Sequence, residues 1–342
     1  MKHTSSQPAS FLEQFLPATW RQTAASQVDL SNQLDFTRLA MTQPAASNDQ
    51  LTSFGLTQPA LEKNRAIFWG ETQQGGGLYL ADGQTLHRLV NSHSADFTQL
   101  GAAPSFDGTD QIVFCAQSQT DSPSADSRVP TLQNAIYRLD LQRVGAAPQS
   151  VLVTDEPLLA DGDAFTNFSN PAVQAGKIAF LGRLVSQAQK GIFSYSDGQI
   201  QTVACQSTAE KETPFLDLGQ PDIDAKQIVF RMQDAQYQTG LYRYADGELS
   251  PIVTAQTQIP DGIGTFTSFG DPLLDCEQIV FSGRGNVFQQ GLYRLGPAGI
   301  QTIVNTQTPI PDSAETFTRF YRFAAQAGQV AFLARADQRH RH

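Results

Sequence analysis

An apolar triplet ending in phenylalanine recurs six times along the chain, at Phe68, Phe114, Phe180, Phe230, Phe281 and Phe332. The intervals are 46, 66, 50, 51 and 51 residues. A period near 50 built from strand-like segments means one supersecondary unit stacked on copies of itself, each burying the face that its neighbour leaves open. A length of 342 residues would otherwise suggest two or three ordinary domains. With a shared core it needs only one.

The clearest copy covers residues 265–304. Phe266-Thr267-Ser268-Phe269 suits a first strand, Pro272-Leu273-Leu274-Asp275 reads as a turn, and Gln278-Ile279-Val280-Phe281 as a second strand. Gly291-Leu292-Tyr293-Arg294 and Ile300-Gln301-Thr302-Ile303-Val304 supply the third and fourth. First strands of the six copies begin at Leu51, Phe97, Phe165, Phe215, Phe266 and Phe317. Asp82-Gly83, Asp197-Gly198 and Asp246-Gly247 mark the turn from third to fourth strand, because Asp-Gly favours the positive φ of tight hairpins. Pro59, Pro104, Pro171, Pro221 and Pro272 are expected in the turn from first to second strand, since proline cannot donate to a ladder.

The sixth copy lacks its third and fourth strands. Asp35-Phe36-Thr37-Arg38-Leu39-Ala40 resembles a fourth strand, and Trp20-Arg21 or Val28-Asp29-Leu30 a third. The expected fold is therefore all-β: a six-bladed β-propeller of four-stranded antiparallel blades, closed by N-terminal strands that complete the last blade. Closure removes exposed sheet edges. A linear solenoid, the alternative, needs polar capping repeats at its ends. Residues 1–18 form a tail, 19–334 the propeller and 335–342 a basic second tail. In the first tail Ser10-Phe11-Leu12-Glu13 fits a capping box. Phe11, Leu12, Phe15 and Leu16 then share one helical face, which must lie on the propeller or on a partner because so short a helix is unstable alone.

Composition excludes several functions. A net charge of −10 argues against a nucleic-acid backbone partner. No apolar run is long enough to insert into a membrane. Cys115, Cys205 and Cys276 fall at three different places in the repeat and read as small apolar residues, not a disulfide framework. Residues 1–20 lack the apolar core of a signal peptide. The expected location is the cytoplasm, or the periplasm or exterior if a leader has been removed.

The Ile-Val-Phe strand followed by Gly-Leu-Tyr-Arg and Asp-Gly resembles the TolB-like group of six-bladed β-propellers. The residues are Gln227-Ile228-Val229-Phe230 with 240–247, and Gln278-Ile279-Val280-Phe281 with 291–294. The likeness covers residues 35–334. The segment from Thr257 through Ile259-Pro260-Asp261 to Phe269 departs from TolB itself and looks more like bacterial repeat propellers. The α/β domain that accompanies the TolB propeller has no counterpart. The resemblance implies a binding platform, since many such propellers are non-catalytic.

The search for chemistry supports that expectation. The third residues of the first strands are Ser53, Gln99, Asn167, Asp217, Ser268 and Arg319, with one acid among six. That is no two-carboxylate site. His87 and His93 read as surface residues, and no Ser-His-Asp order or Gly-rich phosphate loop is visible. Asp49, Asp163 and Glu315 lie two residues before a first strand and Asp96 one before. A ring of acids there could hold Ca²⁺, a hard cation wanting several oxygens; the competing reading is that each caps a turn. No other cofactor is implied.

Arginine is also periodic. Arg183, Arg284 and Arg335 lie three residues past the key Phe and Arg231 one past, expected at the opening of the loop from second to third strand. Glu71 and Gln117 take the place in copies one and two. The arc could dock a carboxylate- or phosphate-bearing partner or pair locally with acids such as Asp163. Copy two carries an insertion in the same loop, 117–133, with the composition of a flexible segment. Tyr237 and Phe288 in the loops of copies four and five, with Arg183, Arg231, Arg284 and Arg319, are the candidate anchors for a protein partner. The leading expectation is a non-catalytic interaction platform within a larger assembly. The alternatives are a hydrolase or lyase using Asn167, Asp217, Arg319 and the ring of acids, and a carbohydrate- or small-ligand-binding module.

Overall fold

The computed structural model describes residues 51–336 apart from 55–59, 63–64, 74, 83–84, 92–96, 102–103, 108–109, 121–130, 144–146, 170, 187–188, 207–214, 287 and 311–314. The expected N-terminal helix, the closing strands, Asp49, Asp96, His93 and residues 337–342 of the basic tail lie outside the described residues, while Arg335 and Ala336, expected in that tail, end the last strand. Among those described there is no helix, and hence none long and apolar enough to cross a membrane.

The chain divides into two compact units, Met1–Thr98 and Gln99–His342. The first contains one sheet, whose strands include Ser53–Phe54, Arg65–Thr72, Gly75–Ala81 and Leu86–Asn91. The second contains five sheets in succession. The chain is all-β, and its six antiparallel sheets are the blades of a six-bladed β-propeller.

Blade five shows how the sequence builds the unit. Phe266–Phe269, Gln278–Gly285, Gln290–Gly296 and Gly299–Asn305 pair in that order. The first strand is split: Leu273–Asp275, expected as a turn, is a second piece of it and pairs with the second strand from Leu273↔Val280 to Asp275↔Gln278. Proline explains the split. Pro171, Pro221 and Pro272 sit in the gap between the two pieces, where the ladder is already broken, and not in the hairpin. Blade six, with Phe323 at the matching place, has one continuous first strand, Phe317–Gln326.

Phe-Thr-x-Phe places two aromatic rings three residues apart, which a regular strand would send to opposite faces. A bulge restores the parity. The register slips between Phe266 and Ser268, and likewise between Phe165 and Asn167 and between Phe317 and Arg319. The intervening threonine secures it. Thr166, Thr267 and Thr318 each donate a hydroxyl hydrogen bond to the carbonyl of Arg183, Arg284 and Arg335, at 3.2, 3.2 and 3.1 Å.

The aromatic rings so aligned form the core. Phe266 lies 5.0 Å from Tyr293 and 5.9 Å from Phe281, both nearly edge-on, as the ring quadrupoles favour. Gly283 leaves the room this needs, since a Cβ there would lie 2.6 Å from the Phe266 ring. Sheet faces pack in pairs: Val113, Ile136 and Leu152 of blade two against Phe165, Phe180 and Phe193 of blade three, and Ile192 and Val203 of blade three against Phe230 and Met232 of blade four.

Polar latches join neighbouring blades at the turns. Arg138 and Arg294, each following the third-strand tyrosine, donate to the carbonyls of Gly176 and Gly328 in the next blade, at 3.1 and 2.8 Å. Asp222 of blade four accepts from the amide of Leu274 in blade five at 2.7 Å. The Asp-Gly turns behave as expected, with φ of 52° and 80° at Asp197-Gly198 and 52° and 83° at Asp246-Gly247. In blade two residues 117–120 and 131–133 of the insertion are strand, and 121–130 lie outside the described residues. The strands Gln111–Thr120 and Thr131–Asp140 stay paired out to Thr120↔Thr131, because a polar Ser/Gln/Thr sequence can continue a ladder whose side chains face water. All three cysteines are free thiols, and burial pushes that of Cys115 up to about 12.

Candidate functional site

The hairpins from second to third strand of blades three, four and five lie at one end of the second unit. In blade four a tight turn runs from Asp234. Its carboxylate accepts from the amides of Gln236 and Gln238 at 3.0 and 2.8 Å, and its carbonyl accepts from the Tyr237 amide at 3.0 Å. Tyr237 is thereby held at φ 62°. In blade five Phe288 occupies the matching turn, again at φ 62°. There the amide of Gly285 donates to the Gln289 carbonyl and that of Gln289 to the Asn286 carbonyl. A bulky side chain in left-handed backbone costs about 1–2 kcal/mol.

Packing does not recover this cost. Phe288 is 95% exposed and Tyr237 74%. Ile263, on the loop that enters blade five, is 76% exposed, and its amide donates to Oε1 of Gln289, the neighbour of Phe288. Val185 begins the corresponding hairpin of blade three and is also exposed. Tyr237 and Phe288 were legible in the sequence as loop aromatics. Ile263 and Val185 were not, since a single aliphatic residue in a loop carries no signal of its exposure.

The arginines divide. Arg183 and Arg284 are exposed, but they lie inside strands, Lys177–Leu184 and Gln278–Gly285, and not in the loops where their spacing placed them. Their cross-strand neighbours on the first strand are Asn167 and Ser268. Arg231 differs from both. It is mid-strand and half-buried, with Nη2 2.9 Å from Asp217 and Nε 3.3 Å from Asp271 of the next blade. Two residues out of register with the others, it joins blades four and five instead of facing outward. Burial pushes the Asp271 carboxyl up, against the pull of Arg231. Asp217 is also 3.9 Å from Lys190 Nζ. A carboxylate tied to two cations is poorly placed to act as a general base. Arg319 is exposed on the first strand of blade six, its guanidinium 5.2 Å above the Tyr321 ring.

Of the acids before the first strands, Asp163 acts within its turn. Asp163 accepts from the amides of Ala164 and Ser186 and from the Ser186 hydroxyl, which chiefly holds its carboxyl below the ordinary range. The expected pairing with an arginine is replaced by this serine. The backbone carbonyl of Glu315 accepts from Ile310. Among the described residues no three His, Cys, Asp or Glu side chains are grouped to hold a metal ion.

At the opposite end of the second unit, the turns from first to second strand enclose a cavity of about 370 Å³ lined by Asp224, Lys226, Asp275, Cys276 and Glu277 among others. Its charges are already engaged. Lys226 pairs with Glu277, Asp224 caps the amides of Lys226 and Gln227, and Asp275 accepts from Gly328.

No protein-family model and no curated protein matches the chain. Solved structures do. A prolyl endopeptidase shares 11% identity at a TM-score of 0.47, over 82% of this chain and 39% of its own length. The β-propeller domain of the Trilobed protease from Pyrococcus furiosus shares 9% at 0.39, over 84% of this chain and 93% of its own. A Trypanosoma rangeli sialidase shares 9% at 0.43, over 85% and 54%. The chain thus spans well under half of the prolyl endopeptidase it matches. Likeness at this level concerns fold and not activity.

Proposed function

We propose that this protein is a non-catalytic interaction platform that captures a protein partner on the hairpin face of blades three to five. One observation carries the reading. Two successive blades hold large apolar side chains, Tyr237 and Phe288, almost fully in water, at equivalent turns and in a backbone conformation that disfavours them. Exposed aromatics held on hydrogen-bonded turns are what a partner buries at the centre of an interface, and loops on a fixed scaffold are where binding residues collect. The resemblance of the blade sequences to TolB-like propellers agrees with a binding role. The engagement of Asp217 by Arg231 and Lys190 weighs against the hydrolase or lyase reading.

The test is co-purification from the native source, comparing the wild-type chain with a Tyr237→Ser/Phe288→Ser double variant. A stoichiometric protein companion is expected with the wild type and at least ten-fold less with the variant, as hot-spot losses of about 2 kcal/mol or more imply. The melting temperature should be unchanged, since neither side chain is packed. Undiminished companion on the variant, or a solitary chain that turns over an ester or glycoside, would contradict the reading.

A further inference from the structure

Blade six opposes two like charges. Arg319 on its first strand is the direct cross-strand partner of Arg335 on its second. Directly opposed residues of an antiparallel pair project on the same face about 5 Å apart, and like charges there destabilise the sheet. Both arginines are exposed. At the same register the other five sheets avoid the conflict with at least one neutral member: Ser53↔Glu71, Gln99↔Gln117, Asn167↔Arg183, Asp217↔Gln233 and Ser268↔Arg284.

The seam with blade five is fixed from the other face of the same sheet. Arg284 of blade five is exposed, and its cross-strand partner is Gln290. The buried Gln290 side chain clamps the backbone of Phe320, donating to its carbonyl at 2.8 Å and accepting from its amide at 3.2 Å. Phe320 follows Arg319. This two-way clamp locks the two sheets in register, and Arg319 and Arg335 project from the face of blade six opposite the packed rings of Phe317, Phe320 and Phe332. Tyr321 holds Arg319 from below, leaving the edge of the guanidinium free to form hydrogen bonds.

We propose that Arg319 and Arg335, with Tyr321 beneath Arg319, form a recognition site for a small oxyanion, a phosphate or carboxylate group. Guanidinium forks match both groups bidentately. An anion between Arg319 and Arg335 converts a repulsion into two attractions, which gives the pair a purpose in a chain whose net charge is −10. The site does not depend on the hairpin face and stands apart from the protein-partner reading.

Calorimetry and thermal melting of the full chain test it, with inorganic phosphate in one arm and succinate in the other, at ionic strength matched with chloride. Saturable binding with half-saturation at or below about 1 mM and a raised melting temperature are expected in at least one arm. Phosphate alone, succinate alone or both would each support the site and identify its group. Arg335→Gln should weaken binding at least about ten-fold, the loss of a charge-assisted hydrogen bond. Without ligand it should melt at or above the wild-type temperature, because the repulsion is gone. Absence of saturable binding in both arms would overturn the proposal. So would a variant that binds like the wild type, or one that without ligand melts well below it.

Discussion

Truncating Phe281 to alanine is expected to lower the unfolding free energy by about 3–5 kcal/mol. The ring is fully buried. It touches Phe266, Phe269 and Tyr293 at centroid distances of 5.9, 6.0 and 5.6 Å. The cavity cannot collapse easily, because Phe266 is fixed by the bulge before Ser268 and Tyr293 belongs to the next strand. The same substitution at Phe332, the equivalent repeat position in blade six, should cost less than half as much, since that ring is 37% exposed. Denaturant titration of both variants checks the ratio. Equal losses would mean that the six repeats contribute alike and that the sheets are not packed as described.

The second large effect concerns pH. Asp222 sits at the seam of blades four and five with its carboxyl group enclosed. It accepts from the amides of Leu274 and Ile223, and no cation pairs with it among the described residues. Burial raises its pKa from 3.8 to about 6, outweighing the two amides, and the neighbouring Asp224 carboxylate adds to the rise. The folded chain therefore keeps this proton to a higher pH than the unfolded one. Its contribution to stability is whole below about pH 4 and is lost as pH rises to about 6. Above that the fold carries a desolvated charge. The loss amounts to roughly 3 kcal/mol. Asp222→Asn cannot ionise. Whatever its constant offset from one altered hydrogen bond, its stability relative to wild type should improve by about 3 kcal/mol between pH 4 and pH 7. Denaturation midpoints across that range measure the difference; a flat difference would place the Asp222 carboxyl in contact with water.

Both effects trace to patterns with unequal legibility in the sequence. The Phe triplets and Asp-Gly turns are local signals, and they located second strands and hairpins correctly in every described copy. The split first strand is hidden from the sequence because proline reports a broken ladder and not which side of the break still pairs: Leu273-Leu274-Asp275 resumes pairing beyond Pro272. The arginines' surroundings are hidden for a similar reason. Arg231 and Arg284 differ by two positions of register, and in a strand that keeps the face but changes the neighbours, from water to Asp217 and Asp271. The opposed pair Arg319↔Arg335 joins residues 16 apart, and only the bulge fixes which residue faces which. Spacing alone cannot supply that. The exposed aromatics were readable as residue types, but their positive φ was not, because Tyr237 and Phe288 lack the glycine that usually announces it.

The hairpin face of blades three to five as a partner-binding surface is the central claim. It is tested most directly by placing a photo-crosslinking residue at position 288 and, as a control on the opposite end of the unit, at position 199, in the chain expressed in its native host. Irradiation is predicted to give one discrete protein adduct from position 288 and none from position 199. Adducts from position 199 alone, or the same diffuse products from both, would contradict it.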